Sequence, residues 1–206
     1  EIKKYETEIE EIKTNKIYEN AFEWRFEFPE VLNNEGDFIG FDVVIANPPY
    51  IQHRELSYIS SYLKVNYDVY SGTSDISSYF FEKFLNILKP NGNLTVINSN
   101  KFFNTEYGKN LRLFLSKYNF ISILNFEQVP IFEEALVSST IILIKKELPK
   151  QLFTYIKFFK EKVFSLKDIN SRVVLMNQNQ LKERAWLFND SLSEALIEKI
   201  KSKGIP

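Results

Sequence analysis

The segment Phe41–Gln52, FDVVIANPPYIQ, constrains this chain more than any other stretch. Its first half, Phe41-Asp42-Val43-Val44-Ile45-Ala46, is an apolar run that reads as a buried parallel strand. The run leads straight into Asn47-Pro48-Pro49-Tyr50. Each proline lacks an N–H and fixes its own φ, so two in succession end a strand and turn the chain out of the sheet. Open α/β sheets bind ligands at the carboxyl ends of their strands. An amide, two rigid carbonyls and an aromatic ring therefore leave the sheet where a site is expected.

The neighbouring segments supply the rest of such a sheet. After the prolines a tyrosine-rich stretch (Tyr58, Tyr62, Tyr67, Tyr70) reads as a short helix and a long loop ending in Ser71-Gly72-Thr73-Ser74-Asp75. Ser74 or Asp75 then caps a helix over Ile76–Leu88, with Ile76, Phe80, Phe84, Ile87 and Leu88 on one face. Lys89-Pro90-Asn91-Gly92 stops it, and Asn93–Asn98 is a second buried strand running into the polar loop Ser99-Asn100-Lys101. A helix over Glu106–Lys117 points Leu111, Phe114 and Leu115 inward, and strands follow at Phe120–Phe126 and Ser139–Lys145. Strand, helix, strand, helix, strand, strand is the second half of a doubly wound α/β sheet. Upstream, Glu1–Asn20 has the period of a charged amphipathic helix, Ala21–Leu32 is extended with a turn at Pro29, and Asn33–Asp37 is a loop.

Composition narrows the function. Of 206 residues none is Cys and one is His, so a disulfide, a thiolate metal site, a Cys nucleophile and a multi-histidine metal centre are all excluded. A formal net charge of -1 argues against a uniformly basic nucleic-acid binder, though not against local basic patches. No apolar run reaches membrane-spanning length, and the charged start Glu1-Ile2-Lys3-Lys4 is no signal peptide, which predicts an intracellular soluble protein. A chain that begins at Glu1 and stops at Ile205-Pro206 is expected to be a fragment of something longer. Near Glu147–Lys150 the character changes: lysines outnumber acids through Lys167, interleaved with Phe153, Tyr155, Phe158, Phe159 and Phe164. Leu152–Phe158 alternates like a strand, and Leu181–Phe188 and Leu192–Ile200 read as a turn and a terminal helix.

The motif suits one kind of chemistry. An amino group conjugated to an aromatic ring is a poor nucleophile, because its lone pair is delocalised into the ring. Two acceptors on its two N–H bonds pull it toward tetrahedral geometry and re-aim that lone pair. Asn47 offers a side-chain oxygen and Pro48 a backbone carbonyl that the adjacent prolines hold rigid. Tyr50 can stack on a planar base. These residues fit methylation of an exocyclic amine on a base flipped out of a duplex. The bland alternative is a proline-rich turn with Asn47 capping it and Tyr50 packed nearby.

Phe41–Gln52 resembles the segment around the catalytic tetrapeptide of adenine-N6 DNA methyltransferases, most closely the type IIG, Eco57I-like restriction–modification enzymes. The resemblance continues through Asp75–Leu94, where a helix, an "LKPGG"-like turn and a strand follow one another, and through Ile97–Phe102. Val129-Pro130-Ile131-Phe132 with Ser138–Ile142 resembles the family's late loop and final strand, and Trp24 with Phe28-Pro29-Glu30-Val31 resembles what precedes its tetrapeptide. It implies the C-terminal half of a Rossmann-like methyltransferase sheet over residues 1–147, followed at 148–206 by the start of a target-recognition region that binds DNA. It also implies that Asn47 and the Pro48 carbonyl hold the target amine, with Pro49 and Tyr50 completing the catalytic tetrapeptide. Tyr50 and Phe132 would stack on the flipped base, and Asn47 and Pro49 would lie against the methyl donor, S-adenosylmethionine. Double-stranded DNA is the expected partner and the cytoplasm the expected compartment. His53, Arg54 and Lys101 are candidate DNA contacts; His53 reads better as a phosphate-contacting loop residue than as a catalyst.

The family's glycine-rich donor-binding motif has no counterpart, since no Gly precedes Gly36. The donor site is therefore expected to be incomplete, and the isolated chain to bind S-adenosylmethionine poorly and to be inactive. Two other readings compete. Protein-glutamine N5 methyltransferases carry the same tetrapeptide, because a side-chain amide is an equally poor nucleophile, but they should end before the extension past Lys146. The isolated chain is alternatively a non-catalytic DNA-binding piece.

Overall fold

The computed structural model describes residues 6, 7, 10, 27–49, 51, 53–127, 129, 131, 138–158 and 172–188, and divides the chain into two compact units, Glu1–Gly40 and Phe41–Pro206. In the first, Pro29–Val31 forms a single 3-10 turn with proline at its start, where a missing N–H costs nothing. The Asn33 side-chain oxygen accepts from the backbone N–H groups of Glu35 (3.1 Å) and Asp37 (2.7 Å), closing the expected loop beneath a bridge between Leu32 and Phe38. The helix expected over Glu1–Asn20 falls almost wholly outside the described residues.

The second unit is built on one six-stranded sheet. β1 (Phe41–Ala46) and β2 (Leu88–Ser99) pair in parallel. β3 (Asn119–Phe126) and β4 (Ser139–Lys145) follow, then β5 (Leu152–Lys157) and β6 (Val174–Asn177). Across the sheet the order is β1-β2-β4-β3-β5-β6, with β4 antiparallel to both neighbours, β3 and β5 parallel, and β6 antiparallel to β5. The carboxyl ends of β1, β2, β3 and β5 thus share one edge, where β4 begins. Three short helices connect or flank them: α1 (Ser60–Asn66), α2 (Ile76–Ile87) and α3 (Lys109–Leu115). Leu94 and Val96 of β2, Ile142 and Ile144 of β4, Ile123 of β3 and Phe153 and Tyr155 of β5 belong to a single core with Phe81, Leu85, Leu111 and Leu115. Phe81 and Leu85 are fully buried, and burial of each contributes about 1.5–3 kcal/mol.

Four expectations need correction. β1 is parallel but not buried: it pairs with one neighbour, β2, among the described residues, and Val43 and Ile45 are 53% and 77% exposed. The inward face of α2 is only partly Ile76, Phe80, Phe84, Ile87 and Leu88: Leu88, which opens β2, is buried in the core, and Ile76 and Phe84 pack against it. The buried positions of α2 include Ser78, Phe81, Glu82 and Leu85, with the Phe80 and Phe84 rings in tilted contact on a half-buried flank at 5.4 Å. A charge can face inward because the Glu82 carboxylate accepts from the N–H groups of Asp68 (3.2 Å) and Val69 (3.0 Å), in the tyrosine-rich loop. The stop at Lys89–Gly92 lies inside β2, whose register advances from Leu88 to Asn93 while β1 advances from Phe41 to Val43, so three extra residues bulge out. Asn91 takes up the turn with φ 65°, and a Cβ at Gly92 would sit 3.1 Å from the Asp42 carbonyl oxygen. Finally, the change of composition near Glu147 does not end the sheet. β5 lies beside β3 and β6 beside β5, because Phe153, Tyr155 and Ile156 are buried in the cores of that same sheet.

Among the described residues, no helix is long and apolar enough to cross a membrane. Of the expected terminal elements, 181–188 is irregular and Leu192–Ile200 lies outside the described residues.

Candidate active site

β1 delivers Asn47 to the carboxyl edge of the sheet with its side chain exposed, Pro48 buried and Pro49 exposed. The exit is held at both ends. Ala46 is the last residue of β1 paired with β2, opposite Val96. The Ile51 carbonyl accepts at 3.0 Å from the N–H of Ile76, at the start of α2. That N–H is one of the four a helix leaves without an internal partner, so the bond satisfies it while tethering the far side of the motif. Asn47, Pro48 and Pro49 follow directly on a paired strand and two of the three have a fixed φ, so these residues have little freedom left to lose on binding.

Two residues beyond Val96, where the pairing of β2 with β1 ends, a polar row crosses the sheet. Asn98 faces Thr140 of β4, Thr140 faces Asn125 of β3, and Asn125 faces Lys157 of β5. Asn98, Thr140 and Asn125 are all buried. Thr140 donates to the Leu124 carbonyl at 2.9 Å. Asn125 accepts from the Asn100 amide at 3.0 Å and donates to the Tyr155 hydroxyl at 3.1 Å. Asn98 is 1% exposed, and its side-chain oxygen has no hydrogen-bond partner among the described residues. Buried acceptors without partners are uncommon and call for an explanation, and this one lies at the same edge as Asn47. Burial pushes the Tyr155 hydroxyl up, a hydrogen bond from Asn125 opposing it, so it stays protonated at neutral pH. Lys157 and Glu127 form an ion pair at 2.7 Å beside it.

Of the sequence candidates, Asn47, Pro48 and Pro49 come together at the strand end. Lys101 is exposed in the 3-10 turn Asn100–Phe103 after β2, which the Ser99 hydroxyl caps by accepting from its N–H at 3.3 Å. Arg54 is exposed in the 3-10 turn His53–Ile59. Tyr50, Phe132 and the side chain of His53 lie outside the described residues, so the two stacking walls are not described. Sequence reasoning missed Asn98, Asn125, Thr140 and Tyr155. The available signal was an amide closing each of two apolar strands, at Asn98 and at Asn125. Among the described residues no group of three or more His, Asp or Glu side chains is gathered as a metal would need.

Comparison with known proteins bears on this arrangement. The Eco57I restriction-modification methylase family matches the chain over residues 1–132. The type II methyltransferase M.AccI of Acinetobacter calcoaceticus is 29% identical over 142 residues, 62% of this chain. The chain spans about a quarter, 26%, of that relative's length. Among solved structures, the type IIG restriction endonuclease BpuSI superposes with a TM-score of 0.54 at 16% identity, over 78% of this chain and 22% of its own. A Listeria monocytogenes protein described as a class I S-adenosylmethionine-dependent methyltransferase gives 0.50 at 16% identity, over 64% of this chain and 40% of its own. The structural likeness concerns the fold: the six-stranded sheet is of the Rossmann-like kind.

Proposed function

This chain belongs to the Eco57I restriction-modification methylase family, and on that premise we propose that it is the amine-holding part of a DNA methyltransferase. The reaction class is transfer of a methyl group from S-adenosylmethionine to N6 of an adenine flipped out of duplex DNA, within a restriction–modification enzyme of the cytoplasm. The observation that carries the reading is the tether across Asn47-Pro48-Pro49, from β1 to the bond between Ile51 and Ile76. In this reading the Asn47 side-chain oxygen and the Pro48 carbonyl accept the two N–H bonds of the adenine amine. They raise its nucleophilicity without themselves exchanging a proton, and do so from a pre-set geometry. Tyr50 and Phe132 stack on the base; His53, Arg54 and Lys101 touch the DNA backbone. Residues 1–147 carry the catalytic part, and 148–206 lead into DNA recognition after contributing β5 and β6.

The described residues do not make a donor site. Asn47 and Pro49 supply one exposed wall, while Gly36 and Gly40, the glycines nearest ahead of the motif, stand in or beside a loop rather than between a strand and a helix. In this reading the remaining donor contacts come from other parts of a longer protein. The test is to incubate that longer protein with duplex DNA and S-adenosylmethionine and to identify the methylated nucleoside. N6-methyladenine supports the reading. Methylated glutamine in a protein substrate, with unmodified DNA, would replace it with the amide-methylating alternative.

A further inference from the structure

A cleft of about 230 Å³ opens over the carboxyl ends of β3 and β5, and the reaction just described makes no use of it. Its floor is the relay from Asn100 through Asn125 to Tyr155, and Phe103, Trp186 and Phe188 form its apolar side. The aromatic side is built firmly. Phe188 stacks on Tyr155 at 4.5 Å with the rings 15° apart, Phe103 meets Phe188 edge-on at 5.0 Å, and the Trp186 backbone N–H donates to the Phe103 carbonyl at 2.7 Å.

The relay leaves one donor and one acceptor to spare. The Tyr155 oxygen already accepts from Asn125, so its own proton is available. Asn100 spends its amide N–H on Asn125, which leaves its side-chain oxygen without a partner among the described residues. A ligand matching both needs an acceptor and a donor side by side on a flat edge, together with a face that stacks on an aromatic ring. Nucleobases have that edge and that face. Cavities for drug-sized ligands run from about 300 Å³ upward, so this one suits a single ring system. Its strands are set apart from the one that delivers Asn47. β3 and β5 stand three and four strands from β1, about 14 and 19 Å away at the usual spacing.

We propose that this cleft takes a second nucleobase, distinct from the one whose amine Asn47 holds. That base accepts a hydrogen bond from the Tyr155 hydroxyl and donates one to the Asn100 side-chain oxygen. The inference rests on reading the substrate as DNA. Trp186 beside the cleft provides the signal. In a Trp24→Phe background it is the sole tryptophan, and its fluorescence is titrated with short single-stranded oligonucleotides and with an abasic oligonucleotide of equal length.

Base-bearing strands should quench Trp186 and the abasic backbone should not. Tyr155→Phe, which keeps the ring on Phe188, should weaken the quenching interaction about fivefold while the variant still unfolds cooperatively. Asn100→Ala should weaken it similarly, providing a second reading if the tyrosine variant folds poorly. Equal quenching by the abasic strand, or affinities unaltered in both variants, would overturn the proposal. Asn47→Ala should leave the quench intact; its loss there would mean the base sits at the strand end and not in the cleft. Should the longer protein methylate no DNA while base-dependent quenching persists, the methylation reading fails and the cleft stands. DNA methylation without any base-dependent quench overturns the cleft alone.

Discussion

At the residue scale the account turns on groups placed in advance. Asn47 is exposed, yet it follows a paired strand and precedes two residues whose φ is fixed, so its position owes little to its own contacts. Glu147 shows the opposite strategy, a side chain fixed wholly by partners. Lys150 (2.9 Å) foremost, with Lys145 (3.2 Å) and the Asn119 amide (2.7 Å), holds its carboxyl at about 2, against an opposing push from burial. The ordinary value is 4.5, so the folded-state value is depressed. The stability this pairing contributes is therefore present above about pH 4.5 and is lost as pH falls through 2. Glu147→Gln should remove that part of the acid limb from a urea-unfolding pH series and leave the remainder of the curve in place. A limb of the same size in the variant would mean that other carboxyls set it.

At the scale of elements, the C-terminal segment depends on α3. The Arg112 guanidinium donates to the carbonyls of Phe102 (2.6 Å), Thr105 (2.7 Å) and Glu183 (2.9 Å), and the Trp186 backbone N–H follows by binding the Phe103 carbonyl. A lysine cannot reproduce that fork. Arg112→Lys should cost about 2 kcal/mol in denaturant unfolding and shift Trp186 emission to the red as the segment loosens. Unshifted emission would show that the aromatic packing alone retains it. Elements were legible in the sequence where one local rule sufficed. β4 matches its expected bounds, and the two prolines end β1 where two missing N–H groups demand it. The face of α2 was only partly legible, because Glu82 faces inward only by virtue of Asp68 and Val69, whose N–H groups reach it from a different segment. The bulge at Lys89–Gly92 was read as a plain turn for a similar reason. Its residues pair at both ends, with Asn91 donating to the Lys146 carbonyl and Lys146 donating to that of Gly92.

For the whole molecule, the feature that composition concealed is where the sheet stops. The lysines beyond Glu147 suggest a solvated boundary, but Phe153, Tyr155 and Ile156 are inward residues of β5, and β5 covers β3. A chain ending at Glu147 would leave the β3 edge and its aromatic neighbours open, an invitation to association. We expect that truncation to aggregate on size-exclusion chromatography and to lose near-ultraviolet circular dichroism; a monodisperse, cooperatively unfolding product would place a true boundary there. The strand end that places Asn47, Pro48 and Pro49 was legible, and the polar row Asn98–Thr140–Asn125 was not, since register across strands is set by pairing rather than by any one segment. The claim that joins these levels is that the sheet edge presents Asn47 as an acceptor for a target amine. Its most direct test is Asn47→Ala in the longer protein, with methyl transfer to DNA and DNA affinity both measured. Transfer should be abolished while affinity is largely kept. Transfer at the unaltered rate would contradict the claim.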